Sequence, residues 1–238
     1  MKVAVCITGL PRCVKEGYDL FYKQIINDYN ADVYLHYWND NKYGDTEYIL
    51  QTYNPKKYIA ETPFSFKEYT SGVKIPYGLD SSTRPMQPYD IYGCFTSLPM
   101  FYSWQSGINL IDENYDCIIR GRFDIGREST LNLDLINLNY INVSNGWPNH
   151  TNIDDNLCIL NNTYAKSLYS DIFEVFTHYI KTTKEIYYPE YNLKNVLIEK
   201  GLYDKVVKTP YLDFKLLREN KVWYSQKEFD NKEWIIVN

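Results

Sequence analysis

The N-terminal part of the chain alternates apolar, β-branched runs with amphipathic helical patterns, and this order restricts the fold more than any other feature. Val3–Ile7 and Asp32–Trp38 have the composition of buried strands. Between them, over Lys15–Tyr29, large apolar side chains recur every three or four residues, which predicts a helix. A helix near Asp45–Tyr53 and a strand at Lys57–Ala60 follow. This order is typical of an α/β fold with a mostly parallel, twisted central sheet flanked by helices.

The rest of the chain continues without repeats or a low-complexity linker, so we predict a single domain over residues 1–238. We expect Val3–Ile7, Val33–His36 and Cys117–Arg122 to be neighbouring core strands, because continuous apolar runs fit burial on both faces. The segment from about Phe64 to Tyr89 is irregular. Further predicted elements are a core helix over Cys94–Ile111, strands at Asp116–Asp124, Asn139–Val143, Lys205–Lys208 and Glu233–Val237, an extended segment at Asp154–Ile159, and helices over Tyr164–Ile180 and Pro189–Lys200.

Charge and cysteine usage exclude several classes of protein. The chain has 25 Lys and Arg against 30 Asp and Glu, a net charge of -5, which argues against a nucleic-acid binder with a wide basic face. We predict no membrane span, because no apolar run is long enough, and no signal peptide, because Gly9 and Pro11 interrupt the first apolar run. The scattered cysteines and the three distant histidines indicate neither a disulfide framework nor a zinc site. We expect a reduced, cytoplasmic protein.

The most informative candidate site lies at the polar end of the strand predicted over Asp116–Asp124. Alternate strand residues share a face, so Arg120, Arg122 and Asp124 point the same way at spacings of roughly 7 Å. In open α/β sheets ligands bind at the carboxyl edge, where arginine matches phosphate oxygens and a carboxylate can hold a divalent cation. The alternative is a structural Arg–Asp ion pair at the strand end.

Two other segments end predicted strands or extended runs with polar residues. After the first strand come Thr8, Gly9 and Arg12, where glycine permits a tight turn or a close ligand approach and the arginine can reach a phosphate. In the second segment, Asp154 and Asp155 face opposite sides if the backbone is extended, so one of them enters a given pocket. That carboxylate can accept a proton from a hydroxyl, whereas the alternative for such a pair is turn or helix-cap chemistry. We expect Arg12, Arg120, Arg122 and Asp124 to converge on one cleft.

Five segments of the chain occur in the same order as in a group of viral and bacterial glycosyltransferases that serve surface-glycan or capsular-polysaccharide synthesis: VAVCITGLPRCV, DVYLHYWN, YDCIIRGRFDI, DDNLCI and YYPEYNLKNVLIEKGL. The chain resembles this group from about Met1 to Gly201, and YDCIIRGRFDI is the most specific of the segments. The resemblance implies a GT-A-like fold, with a Rossmann-like nucleotide-sugar-binding half over residues 1–125 and an acceptor-side half over residues 126–238.

The resemblance also implies a reaction and its site residues. A hexosyl group would pass from a nucleotide-diphosphate sugar, with a UDP-sugar favoured, to a hydroxyl of a glycan or glycoprotein acceptor. The donor would be bound by residues from three segments, namely Thr8, Gly9, Arg12, Trp38, Arg120, Arg122 and Asp124. Asp155 or Asp154 would be the catalytic base, and the alternation from Leu157 and Ile159 favours Asp155.

The implied metal site departs from the pattern of the family. Asp124 matches the last acid of the motif that holds Mn²⁺ or Mg²⁺, but Arg122 stands where the D-x-D form has its first acid. Asp124 is therefore the one metal ligand that the resemblance supplies. The alternative is that the two arginines of this strand neutralise the diphosphate themselves.

Two other classes of function compete with glycosyl transfer. A strand followed by G-x-P-R also opens the phosphosulfate-binding loop of sulfotransferases, although Glu16 puts an acid where a phosphate would lie. A carbohydrate- or nucleotide-binding protein without turnover fits the same residues. A glycoside hydrolase is less well supported, because no pair of carboxylates beyond Asp124 and Asp155 stands at separate strand ends.

Overall fold

The structure is a computed structural model that describes residues 1–40, 45–74, 95–127, 129–144, 153–218, 221–223 and 235–236. It contains one large sheet and one small sheet. The strands, in chain order, are β1 (Val3–Gly9), β2 (Asp32–Trp38), β3 (Lys57–Glu61), β4 (Cys117–Arg122), β5 (Ile125–Gly126), β6 (Ile141–Ser144), β7 (Cys158–Leu160), β8 (Val206–Thr209), β9 (Lys215–Arg218), β10 (Lys221–Trp223) and β11 (Ile235–Ile236).

The large sheet has eight strands in the order β11-β8-β6-β7-β4-β1-β2-β3. β1 pairs in parallel with β2 on one side and with β4 on the other, so the three predicted core strands are neighbours, as expected. β7 runs antiparallel between β4 and β6, and β11 runs antiparallel to β8. The predicted α/β fold with a mostly parallel sheet is confirmed. β10, β9 and β5 form the small antiparallel sheet.

Helices cover both faces of the large sheet. They are α1 (Val14–Gly17), α2 (Lys23–Tyr29), α3 (Thr46–Tyr53), α4 (Ser97–Asn109), α5 (Asn162–Tyr169), α6 (Ile172–Thr183) and α7 (Pro189–Glu199). A π-helical turn over Tyr18–Tyr22 joins α1 to α2, so the helix predicted over Lys15–Tyr29 is confirmed with one wider turn. Single 3-10 turns occur at Lys67–Tyr69, Leu133–Leu135 and Tyr203–Lys205. None of the described helices has the length and apolar content that crossing a bilayer requires.

The alternation of side chains along β1 divides the core into two layers. Ala4 and Cys6 face the cluster that includes Phe101 and Trp104 of α4. Val3, Val5 and Ile7 face the opposite cluster, which includes residues of the π turn, α2 and α3. Both faces of β1 are therefore buried, as its continuous apolar sequence predicts.

The single helix predicted over Tyr164–Ile180 is wrong, because the structure has two helices there, α5 and α6. The backbone leaves the helical region at Asp171, with φ -140° and ψ 22°. Side chains of α4 stabilise the break: Asn109 Nδ2 donates to the Ser170 carbonyl at 3.0 Å, and Gln105 Oε1 accepts from the Phe173 N–H at 2.9 Å. These contacts come from a distant part of the chain, so the periodicity of the segment itself did not predict them.

The helical segment after β1 lies unusually close to the end of β4. A methyl group at Gly17 would overlap the backbone oxygen of Phe123, and one at Gly121 would overlap the Tyr22 hydroxyl. That hydroxyl donates to the Arg122 carbonyl at 2.5 Å. The two glycines therefore allow the close approach that fixes the backbone around Arg122.

We expect Gly17→Ala to lower the free energy of unfolding by about 1–3 kcal/mol, because the helix must move away from Phe123 to admit the methyl group. Urea denaturation measures this loss. Leu20→Ala is the control, since Leu20 lies in the same helical segment and its side chain is 50% exposed. A Gly17→Ala variant as stable as the parent would show that α1 and Phe123 are not in close contact.

Candidate functional site

A cavity of about 580 Å³ opens at the carboxyl ends of β1, β2 and β4. Thr8 and Gly9 at the end of β1, Trp38 at the end of β2 and Arg122 at the end of β4 line it, together with Arg12 from the loop after β1. The strand register explains the grouping, because Thr8 pairs with Arg122 on one side and lies beside β2 on the other. Gly9 has φ 102°, a left-handed conformation that favours glycine and turns the chain along the cavity.

Aromatic side chains form one wall of this cavity. Trp38, Phe64 and Phe66 are lining residues, and the rings of Phe64 and Phe66 lie 4.7 Å apart. Tyr102 stacks on Trp38 with the ring centroids 5.6 Å apart and the planes 27° apart. Such a wall offers flat apolar faces to a planar base or to the apolar face of a sugar.

A buried histidine supports the aromatic wall from behind. His36 is fully buried, and its ring lies edge-on to Trp38. Its Nδ1 lies 2.7 Å from Ser103 Oγ, and its Nε2 lies 2.7 Å from Glu61 Oε2. Burial lowers the pKa of His36, with the hydrogen bond to Glu61 opposing it. The neutral imidazole therefore connects β2 to α4 and β3 through these two hydrogen bonds.

The guanidinium of Arg122 joins two segments at the edge of the cavity. Its Nε and Nη2 donate to Oδ1 and Oδ2 of Asp124 at 2.8 and 2.9 Å, and its Nη1 donates to Asn156 Oδ1 at 2.9 Å. The Asp124 side chain is only 2% exposed. Asp124 therefore neutralises and orients Arg122.

Arg120 has a different environment from Arg122 although both lie on the same strand. It is fully buried, with its guanidinium carbon 4.1 Å from the centroid of the Trp104 ring. Its Nη1 donates to the carbonyls of Asp155, at 2.7 Å, and Asn156, at 3.2 Å. Arg120 thus holds the loop before β7 in place from beneath the cavity wall.

These positions correct the expectation that four residues share one cleft. Arg12 and Arg122 line the cavity, but Arg120 and Asp124 are not among its lining residues. The reason is packing, because Trp104 of α4 lies between Arg120 and the open space, and Asp124 turns back onto Arg122.

The two neighbouring aspartates differ in their surroundings. Asp155 lines the cavity, and burial raises its pKa while the charges of Arg122 and Arg120 oppose the rise. Asp154 accepts the Asn156 N–H at 2.8 Å, and burial together with the charge of Asp155 raises its pKa to about 6. Asp155 is therefore the aspartate of the pair that lies at the cavity.

Glu190 lies next to a cavity-lining residue and interacts electrostatically with Asp155, and the sequence did not indicate this. It stands in the first turn of α7, directly after Pro189, which lines the cavity. Burial raises the pKa of Glu190 to about 8, and the negative charges of Asp155 and Asp154 add to the rise. Acidic residues are common in the first turn of a helix because they interact favourably with the helix dipole. The local sequence therefore did not indicate that Glu190 lies near Asp155.

The side chains around Asp124 do not fit the divalent cation that the sequence resemblance implies. Both carboxylate oxygens of Asp124 accept hydrogen bonds from Arg122. Within the part of the chain that the structure describes, no three His, Cys, Asp or Glu side chains form a group that could hold a metal ion.

Comparison with known proteins finds similarity in structure alone. No family model and no curated protein matches the sequence. Among solved structures, the apo form of the glycosyltransferase GlyE of Streptococcus pneumoniae TIGR4 is 11% identical over 88% of this chain, with a TM-score of 0.49. This chain spans less than half of that protein, 46% of its length.

Two further solved structures are also glycosyltransferases. LgtC, in complex with donor and acceptor sugar analogues, is 11% identical over 83% of this chain and 70% of its own, with a TM-score of 0.41. Mouse xyloside xylosyltransferase 1 is 7% identical over 86% of this chain and 83% of its own, with a TM-score of 0.40. Identities this low transfer no activity, so the function must come from this chain's own residues.

We expect Glu190→Gln to change the pH dependence of stability. The raised pKa means that the folded protein binds this proton more tightly than the unfolded chain, whose value is near 4.5. The contribution of Glu190 to stability is therefore complete below pH 4.5 and is lost as the pH rises through about 8. From pH 5 to pH 8.5, the variant should gain at least about 1 kcal/mol relative to the parent.

Urea denaturation at several pH values measures this difference. Glu199→Gln is the matched control, because Glu199 lies at the exposed far end of the same helix. Parallel pH profiles for the parent and Glu190→Gln would contradict the assignment of a buried proton to Glu190.

Proposed function

We propose that this protein transfers a hexosyl group from a nucleotide-diphosphate sugar, preferably a UDP-sugar, to a hydroxyl of a glycan or glycoprotein. One observation carries the proposal: Arg12, Arg122 and Asp155 line the same cavity. Glycosyl transfer needs positive charge beside the leaving diphosphate and a proton acceptor beside the attacking hydroxyl. The two arginines meet the first need and the aspartate meets the second.

The proposed donor site lies between the aromatic wall and the arginines. The stacked rings of Trp38 and Tyr102 offer a platform for the base, and the wall continues through Phe64 and Phe66. Arginine forks bind phosphate oxygens with two parallel hydrogen bonds, which fixes orientation as well as charge. Because Asp124 and Asn156 already hold Arg122, its guanidinium is oriented before the donor arrives.

The acceptor reacts on the side of Asp155. Its hydroxyl oxygen attacks the anomeric carbon, the hydroxyl proton passes to the Asp155 carboxylate, and the bond from the anomeric carbon to the diphosphate oxygen breaks. The leaving diphosphate keeps the bonding electrons and is stabilised by Arg12 and Arg122. Burial raises the pKa of Asp155, and a carboxylate with a raised pKa is a better proton acceptor near neutral pH. This route inverts the anomeric centre.

The function is tested by ligand-induced shifts of the melting temperature. UDP-sugars and other nucleotide sugars should raise the melting temperature by a few degrees at saturating concentration, because ligands that bind only the folded state stabilise it. Adenosine 3′,5′-bisphosphate is the comparison compound. Stabilisation by the bisphosphate alone would support a sulfotransferase, and binding of nucleotide sugars without transfer to any acceptor would support a binding protein.

We expect Asp155→Asn to lower the rate of sugar transfer by about 10²–10⁴-fold, which is the usual contribution of a general base. The donor dissociation constant should stay within a few-fold of the parent value, since the base acts on the acceptor in the transition state. Asp154→Asn is the matched control, because Asp154 does not line the cavity. Transfer at the parent rate by Asp155→Asn would exclude Asp155 as the base.

A further inference from the structure

We infer that the diphosphate of the donor is bound by the two cavity arginines, Arg12 and Arg122, without a bridging metal ion, and that Asp124 is a positioning residue for Arg122. This inference rests on the proposed function and specifies how the same site holds its donor. It assigns to Asp124 a role different from the metal-ligand role that the resemblance implies.

The geometry of Asp124 is the first support. Its two oxygens lie 2.8 and 2.9 Å from Nε and Nη2 of Arg122, which is the bidentate arrangement of a strong ion pair. A cation at Asp124 would have to displace a guanidinium and would then leave it beside a second positive charge. The carboxylate is also nearly inaccessible, at 2% exposure.

The composition of the cavity is the second support. Asp40 and Asp155 are the acidic side chains among its described lining residues. A divalent cation such as Mg²⁺ or Mn²⁺ prefers several oxygen ligands, and in the described ranges no third ligand group joins these two. Asp155 is in addition the residue that the reaction needs as a proton acceptor.

The basic side chains are the third support. Arg12 and Arg122 are the basic residues among the described lining residues of the cavity, and a diphosphate diester carries two negative charges that need such groups beside them. Guanidinium groups stay protonated at every relevant pH. Nη1 of Arg122 also donates to Asn156, so the guanidinium is held in position, while the second N–H groups of Nη1 and Nη2 can bind the phosphate. Two arginines thus supply the positive charge that a metal ion would otherwise supply.

Isothermal titration calorimetry tests the inference. UDP, and the donor identified by the melting experiment, are titrated in EDTA and in excess Mn²⁺ or Mg²⁺, all at about physiological ionic strength. The dissociation constants in EDTA and in metal should agree within about threefold, which is well under 1.4 kcal/mol. Binding that needs Mn²⁺ or Mg²⁺ would overturn the inference but leave the proposed function standing. No binding of any nucleotide sugar in either buffer would overturn the proposed function itself.

Charge variants give a second readout. Arg12→Gln should weaken UDP binding by about tenfold to a hundredfold in both buffers, since a hydrogen bond to a charged group is lost. Lys15→Gln is the control, because it removes one positive charge from an exposed side chain just beyond the same loop. Unchanged binding by Arg12→Gln would overturn the role assigned to Arg12.

Asp124→Asn separates the two roles of Asp124. A positioning role predicts weaker UDP binding by the same factor in EDTA and in Mn²⁺, because Arg122 loses its orientation in both. A metal-ligand role predicts loss of a Mn²⁺ enhancement that the parent shows, and that result would overturn the inference. Asp124→Glu, which keeps the charge, should restore part of the affinity, and thermal melting confirms that each variant is folded.

Discussion

Two arginines at alternate positions of β4 hold the loop before β7, and the candidate site depends on this clamp. Arg120 binds the carbonyls of Asp155 and Asn156, while Arg122 binds the side chains of Asn156 and Asp124. Removing one partner of a buried ion pair typically costs about 3–5 kcal/mol, because the other charge is left without compensation. The clamp therefore fixes where Asp155 enters the cavity, and it ties β4 to the antiparallel strand beside it.

The carboxylates around this clamp oppose one another. Burial raises the pKa values of Asp154, Asp155 and Glu190, and the negative charge of Asp155 adds to the rise at Asp154 and Glu190. A cluster of buried carboxylates lowers the stability of the folded protein when all of them are ionised. Such clusters are more common at functional sites than elsewhere. Arg122 and Arg120 favour the ionised form of Asp155. Asp155 can therefore accept a proton, whereas Asp154 beside it tends to retain one.

The remaining parts of the site are positioned by close packing rather than by charge. Gly17 and Gly121 let the helical segment after β1 approach the end of β4, and Tyr22 closes that contact with a bond to the Arg122 carbonyl. On the other side, His36 connects β2 to α4 and β3 behind the aromatic wall. The glycine contacts and the His36 hydrogen bonds both fix backbone segments that carry residues lining the cavity. A preorganised binding site requires such fixed segments.

The sequence by itself determined the order of strands and helices, the three central strands and the edge at which polar residues gather. These features follow from local periodicity, because the spacing of apolar residues in the sequence indicates which face of a strand or helix is buried. Tertiary structure decided the antiparallel course of β7, the break between α5 and α6, and which polar residues reach the cavity. Arg120 and Arg122 share a face of one strand, yet Trp104 from a distant helix covers the first and leaves the second at the cavity. Glu190 comes near the acidic residues because Pro189, at the start of α7, lies at the same cavity as Asp155. Contacts between segments far apart in the chain leave no local pattern, so their outcome is set by packing alone.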